Sequence, residues 1–128
     1  MTIKLDTDLR NYIVDQGVVG AIGSAEFKIY SGAQPANADT AASGTLLCTI
    51  TLQGFGLAAA GAAVASSLPI AGTANATGTA GWARIITGSY ALDGTVATSG
   101  GDFTINTLSL VSGGAVSLTA CTLTMPAS

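Results

Sequence analysis

From Glu26 onward, apolar side chains alternate with small polar ones in short runs, interrupted by glycine, asparagine, proline and serine. A period of two residues is typical of strands, because successive side chains of a strand point to opposite faces. We therefore predict an N-terminal helix and arm over residues 1–25 and an all-β domain over 26–128, a jelly-roll-like β-sandwich of about eight strands. The strand-like runs are 27–31, 45–53, 57–59, 63–68, 79–87, 90–92, 95–98, 103–110 and 115–125.

The breaks between these runs carry turn signals of different strength. Asp93-Gly94 predicts a tight hairpin, because both central residues of a type I′ turn need a positive φ. Residues 71–78 predict a longer turn ahead of the strand that contains Trp82. The small-residue run over 57–67 leaves two interpretations open, a tightly packed strand pair or a mobile loop.

The alternation changes phase inside the last predicted strand. Val116 and Leu118 fall on one phase, whereas Cys121 and the apolar residues after it fall on the other. One extra residue at Thr119 or Ala120 would return both groups to the same face. We therefore predict a β-bulge at this point.

The N-terminal residues have the pattern of a short helix over 6–16. Asp6 or Thr7 can cap its first turn, and Asp8 suits the positive end of the helix dipole. Gly17 is a natural stop. The apolar residues expected to line one side are Leu9, Tyr12 and Ile13.

Charge is scarce and unevenly placed. Only 9% of the residues are charged, against about 25% in typical domains. Eight of the eleven charges lie in residues 1–39. A surface with so few charges suits a domain that neighbouring molecules partly cover.

The net charge of −3 argues against a nucleic-acid partner, because a phosphate-binding surface needs clustered cations. The cations of this chain are scattered: Lys4, Arg10, Lys28 and Arg84. The most apolar stretch, 57–70, is mostly Ala, Gly and Ser and falls short of a spanning helix, so we expect no membrane partner.

The chain offers little catalytic chemistry. It has no histidine, which excludes Ser-His-Asp and Cys-His arrangements and the usual histidine-containing metal sites. Asp93 and Asp102 are better explained as turn and strand-entry residues than as a catalytic or calcium-binding pair. We expect no catalytic residue, no cofactor and no metal, and hence a structural or binding protein and not an enzyme.

Four other side chains have two interpretations each. Trp82 is expected to fill the core, with a sugar-stacking platform as the alternative. Arg84 is expected to pair with Asp93 or Asp102, with a subunit contact as the alternative. Cys48 and Cys121 read as buried small side chains, and without a secretion signal we expect free thiols rather than a disulfide.

The stretch KIYSGAQPANADTAASGTLLCTITL, residues 28–52, links two predicted strands through a charge-poor connector (residues 32–45). Pro35 stiffens the connector, and Asn37 and Asp39 can form side-chain-to-backbone turns. This stretch resembles a recurring pattern in small structural proteins of tailed-bacteriophage virions and prophages. The resemblance continues through ATGTAGWAR, LDGTV, DFTINT and a closing VSLTACTLTMP, and includes the early LRN.

The resemblance implies a capsid decoration (cement) protein, made in the bacterial cytoplasm and located on the outer capsid surface of the virion. Its partners would be the major capsid protein and itself, as a dimer or trimer. Residues 1–25 would be a capsid-gripping or subunit-swapping arm. Candidate capsid or subunit contacts are Lys4, Asp6, Asp8, Arg10, Tyr12, Pro35, Asn37, Asp39 and Arg84.

Two other virion roles remain open. One is a host-recognition module at the tip of a tail or head fibre that binds surface glycan. The other is an internal tail or connector protein. An enzyme such as a depolymerase ranks last.

Overall fold

The computed structural model describes residues 6–13, 16, 25–52, 54–56, 59, 62–66, 68–87, 90–100 and 102–124. Within these residues the chain is mostly β, as predicted, with one short helix and nine strands. The elements are α1 (Thr7–Tyr12), β1 (Glu26–Ser31), β2 (Leu46–Thr51), β3 (Ala62–Val64), β4 (Ile70–Thr73), β5 (Gly78–Thr87), β6 (Tyr90–Ala97), β7 (Phe103–Ile105), β8 (Ser109–Leu110) and β9 (Ala115–Thr124).

The described strands form one curled, open sheet in the order β2-β1-β5-β6-β7-β9-β3. Strands β6 and β7 run parallel, and the other pairs are antiparallel. β8 pairs with β5, and β4 pairs with β9. A bridge between Cys48 of β2 and Ala74, just after β4, brings β2 at one end of this order close to β4, which pairs with β9 near the other end. The curl encloses the core.

The core consists of aliphatic and aromatic side chains from one face of the curled sheet. Phe27 and Ile29 of β1 are fully buried, whereas Lys28 between them is half-buried on the other face. The rings of Phe27 and Phe103 meet edge to face, with centroids 5.1 Å apart. Removing these side chains from water is the main driving force for the fold.

Strand β5 is buried on both of its faces. Ala83 and Ile85 belong to the core, while Trp82 and Arg84 point to the opposite face and are also buried. Arg84 is only 5% exposed, which is rare for a cation. A second layer must therefore cover this side of the sheet, and the connector provides it.

The predicted hairpin at Asp93-Gly94 is wrong. Both residues lie inside β6, where Asp93 is opposite Arg84 and Gly94 is opposite Ala83. Asp93 is needed there as the partner of Arg84. A Cβ on Gly94 would lie 2.7 Å from the ring of Phe103, so only glycine leaves that ring its space. Tertiary contacts, and not a turn, explain this dipeptide.

Two strand boundaries also differ from the prediction. The turn expected over 71–78 contains most of β4, because residues 70–73 pair with β9. The single strand expected over 103–110 is divided into β7 and β8. At the break, Asn106 binds Ser117 through both its main-chain N–H and its side-chain oxygen. In the small-residue run, the described residues 62–64 form β3.

The predicted bulge in β9 is confirmed. Thr104 lies opposite Ala120 and Ile105 lies opposite Leu118, so Thr119 is the extra residue. Its hydroxyl donates to the carbonyl of Thr104 at 3.1 Å. The residues returned to the buried face are Val116, Leu118 and Cys121.

The α-helical part of the predicted 6–16 helix is α1, which ends at Tyr12 with Ile13 as its C-cap, and Ile13 and Gln16 beyond it have π-helical geometry. The predicted stop at Gly17 lies outside the described residues. Asp6 is the N-cap, and its carboxylate accepts a hydrogen bond from the main-chain N–H of Leu9 at 2.8 Å. The helix has no buried residue. Of its expected apolar side, Leu9 is 46% and Tyr12 65% exposed, whereas Ile13 is half-buried.

Candidate functional site

The two ends of the connector are tied together. The main-chain N–H of Ser31 donates to the carbonyl of Thr45 at 3.0 Å, and the N–H of Thr45 donates to the hydroxyl of Ser31 at 2.9 Å. Further along, the Ser43 hydroxyl donates to the carbonyl of Ala33 at 3.1 Å. These contacts give the connector a narrow neck, typical of a compact surface loop.

Asn37 organises the middle of the connector. Its side-chain oxygen accepts hydrogen bonds from the main-chain N–H groups of Asp39 and Thr40, each at 3.1 Å. It also accepts from the Thr40 hydroxyl at 2.9 Å. The turn expected at Asn37 is confirmed, and it fixes the direction of the Thr40 carbonyl.

Arg84 joins the connector to the sheet. Its Nη2 donates to the Thr40 carbonyl at 2.8 Å and to Asp93 Oδ2 at 2.9 Å, while its Nε donates to Asp93 Oδ1 at 2.6 Å. The side chains of Arg84 and Asp93 are 6% and 4% exposed. We call Arg84, Asp93 and Thr40 together the Arg84 clamp.

The clamp depends on the shape of the guanidinium group. One edge forms a two-point pair with a carboxylate, and Nη2 keeps a second hydrogen for a main-chain oxygen. The hydrogen bonding of the Arg84 guanidinium to the Asp93 carboxylate raises the pKa of Arg84, and this outweighs the opposing effect of burial. The guanidinium therefore remains charged and neutralises Asp93.

Two stacked aromatic rings lie next to the clamp. Tyr30 and Trp82 stack with ring centroids 4.8 Å apart and planes at 15°. The guanidinium carbon of Arg84 lies 5.3 Å from the centre of the Trp82 ring, within reach of a cation–π contact. Trp82 is fully buried, as expected for a space-filling residue. In the described part of the chain, no acceptor lies within hydrogen-bond distance of its Nε1.

Two glycines allow the connector to lie in close contact with the neighbouring backbone. Gly44 has φ of +83°, and a Cβ there would overlap the carbonyl of Ser31. A Cβ on Gly81 of β5 would overlap the carbonyl of Gly32 at the start of the connector. The connector therefore lies directly on the sheet, with no room for larger residues at these positions.

The candidate contacts predicted from sequence fall into two groups. On α1, Asp6, Asp8 and Tyr12 are exposed, and Arg10 is half-buried with its Nη2 3.2 Å from the Thr7 hydroxyl. Lys4 lies outside the described residues.

The second group lies in the connector and directly beneath it. Asn37 and Asp39 are exposed, Pro35 is half-buried, and Arg84 is buried beneath them. Arg84 therefore acts on the surface through the Thr40 carbonyl.

Sequence reasoning left the partner of Arg84 undecided and missed Thr40. The structure selects Asp93, because it is directly across the β5–β6 pair from Arg84. Asp102 instead accepts hydrogen bonds from the main-chain N–H and hydroxyl of Thr95, at 3.0 and 3.1 Å. Thr40 binds through its carbonyl, and a main-chain carbonyl carries no sequence signal.

Both cysteines are free and buried. Burial raises the pKa of Cys121 to about 12 and also raises that of Cys48, so both thiols stay protonated near neutral pH. Among the described residues, no three acidic or thiol groups are placed to hold a metal ion. No helix in the described part of the chain is long and apolar enough to cross a membrane.

Comparisons of the chain with protein-family models, with curated proteins and with solved structures find no match.

Proposed function

We propose that this protein is a capsid decoration (cement) protein of a tailed bacteriophage. It binds the outer surface of the icosahedral head and stabilises contacts between major capsid subunits. The observation that carries the proposal is the Arg84 clamp, which fixes an exposed, nearly uncharged connector in one shape. The resemblance of the same connector to virion structural proteins supplies the biological setting.

The proposed mechanism is the burial of many modest contacts on a symmetric lattice. A loop that already has its bound shape loses little conformational entropy on docking. A dimer or trimer that engages neighbouring capsid sites adds effective concentration to each contact. In this proposal, residues 1–25 form a second contact, with the exposed Leu9 and Tyr12 of α1 facing the shell.

The late acidic residues have structural tasks, which supports a binding role and not catalysis. Asp93 is committed to Arg84, and Asp102 caps the β6 main chain at Thr95. We propose that the protein needs no cofactor, is made in the bacterial cytoplasm, and ends on the outer capsid surface.

We further propose that the curled sheet is a β-sandwich of jelly-roll type. The pairing of β8 with β5 and of β4 with β9 supports two layers around the core. An experimental structure that shows two facing sheets with jelly-roll connections would support this. A closed single barrel would contradict it.

The alternative roles as a fibre tip, tail or connector protein have less support. A glycan-binding tip would need exposed aromatic residues near acids. Trp82 is fully buried and its ring is covered by Tyr30 and Arg84, so it is not available to a sugar. Tyr90, at the start of β6, is 60% exposed, and within the described residues no acidic side chain is bonded to it.

The proposal is tested with heads purified from a phage whose copy of this gene is deleted. Adding the purified protein should lead to its cosedimentation with the heads and should raise the temperature at which they release DNA. Heads that neither bind the protein nor change their release temperature would contradict a cement role.

A further inference from the structure

We infer that the connector is the surface that docks on the capsid, and that the capsid presents a lysine or arginine to Asp39. The inference rests on the function proposed above and names the surface and the chemistry of its partner. It makes Arg84 a positioning residue, which shapes the contact without touching the shell.

The first step is that the buried ion pair of Arg84 and Asp93 holds the connector in place. Burying two charges costs desolvation energy, and well-packed apolar residues often give equal or better stability. Packing alone therefore does not explain Arg84 and Asp93. An apolar residue at position 84 could not donate a hydrogen bond to the Thr40 carbonyl at 2.8 Å. The ion pair therefore provides what apolar residues could not, a hydrogen bond that holds the connector in one shape.

The second step is the surface that this fixed connector presents. Twelve of its fourteen residues are exposed. Only Pro35 and Ala38 are half-buried. The side chains are small, so a flat partner surface can approach the main chain closely. An exposed loop of fixed shape is suited to binding because little order is lost on contact.

The third step is charge. Asp39 is the only charged residue of the connector. Its carboxylate is exposed, and within the described residues no hydrogen bond or ion pair engages it. A second copy docking through the same surface would bring two Asp39 carboxylates together in a protein of net charge −3. A cationic partner surface is complementary instead.

The experiment measures binding of variants to heads that lack the protein, by cosedimentation at two salt concentrations. Asp39→Asn should weaken binding about threefold and reduce its salt dependence. Asp39→Lys should weaken binding about tenfold or more, because like charges then meet. Glu26→Gln is the matched control, since it removes one exposed negative charge at the opposite end of β1 and should leave binding unchanged.

Asn37→Ala tests the shape of the connector and leaves the Arg84–Asp93 ion pair in place. It removes three hydrogen bonds within the loop, and we expect the fold to be kept and binding to weaken about threefold. Normal binding by Asp39→Lys and Asn37→Ala, beside normal binding by wild type, would overturn this inference and leave the cement role intact. Heads that do not bind the wild type would overturn both. Stronger self-association of Asp39→Asn would identify a second copy as the occupant and would also overturn it.

Discussion

Arg84 and Asp93 lie directly opposite each other on β5 and β6, and their side chains meet in two hydrogen bonds of 2.6 and 2.9 Å. Both side chains are almost completely buried. The remaining Nη2 hydrogen reaches the Thr40 carbonyl, 44 residues earlier in the chain. One ion pair thus connects the middle of the sheet to the exposed connector.

Replacing Arg84 by methionine should destabilise the protein by about 3–5 kcal/mol, because Asp93 would keep a buried charge without a partner. The free energy of unfolding, measured by urea denaturation, checks this. The double variant Arg84→Met with Asp93→Leu should recover most of this loss of stability. Its connector would still lack the hydrogen bond from residue 84 to the Thr40 carbonyl.

A surface ion pair provides the matched control for the clamp. Lys28 and Glu26 are 4.0 Å apart and partly exposed. Lys28→Met should change the free energy of unfolding by less than about 1 kcal/mol. Equal losses for Lys28→Met and Arg84→Met would contradict a special role for the buried pair.

Gly81→Ala should destabilise the protein by at least about 2 kcal/mol, because the added methyl group would overlap the Gly32 carbonyl. Gly56→Ala is the control, since within the described residues the nearest atom to its added methyl group would be the Val64 carbonyl oxygen at 3.8 Å. This variant should be neutral within about 0.5 kcal/mol. Thermal denaturation of both variants makes the comparison. A stable Gly81→Ala protein would mean that the connector does not lie against β5 as described.

Trp82 is the single tryptophan of the chain, so its fluorescence reports on the layer beneath the connector. Trp82→Ala should cost about 3–5 kcal/mol through the cavity it leaves. Trp82→Phe should cost about 1 kcal/mol or less, because it keeps a ring against Tyr30 and removes a buried N–H that lacks a partner. Emission typical of a water-exposed indole in the native protein would contradict the burial of Trp82.

Stability should fall at alkaline pH through Cys121. Its folded-state pKa is about 12, against 9.0 for the free thiol, so the unfolded chain loses this proton first. The contribution is complete below about pH 9 and is lost as the pH rises towards 12. The difference in unfolding free energy between wild type and Cys121→Ala should therefore be smaller at about pH 11 than at about pH 8. A constant difference would contradict burial of the thiol.

Local patterns predicted much of the fold. Period-two alternation located β1, β5 and β9 because each has at least one face in the core. The change of phase near Thr119 predicted the bulge, since only an extra residue keeps Leu118 and Cys121 on one face. These features depend on residues that are close together in the chain, so the sequence alone predicts them.

The predictions that failed depend on distant contacts. Asp93-Gly94 has the composition of a turn, but Arg84 and Phe103 fix it inside a strand. The candidate site shows the same division. The turn at Asn37 was predictable from its own side chain, whereas the bond from Arg84 to the Thr40 carbonyl arises only when β5 and the connector meet.

The central claim is that this protein covers a phage head in many copies. Its most direct test is the copy number per particle, measured by quantitative mass spectrometry of purified virions against the major capsid protein. The cement role predicts hundreds of copies per particle, in a fixed ratio to the shell subunits, because each symmetric lattice position is occupied. A count near a dozen, or absence from the particle, would contradict it.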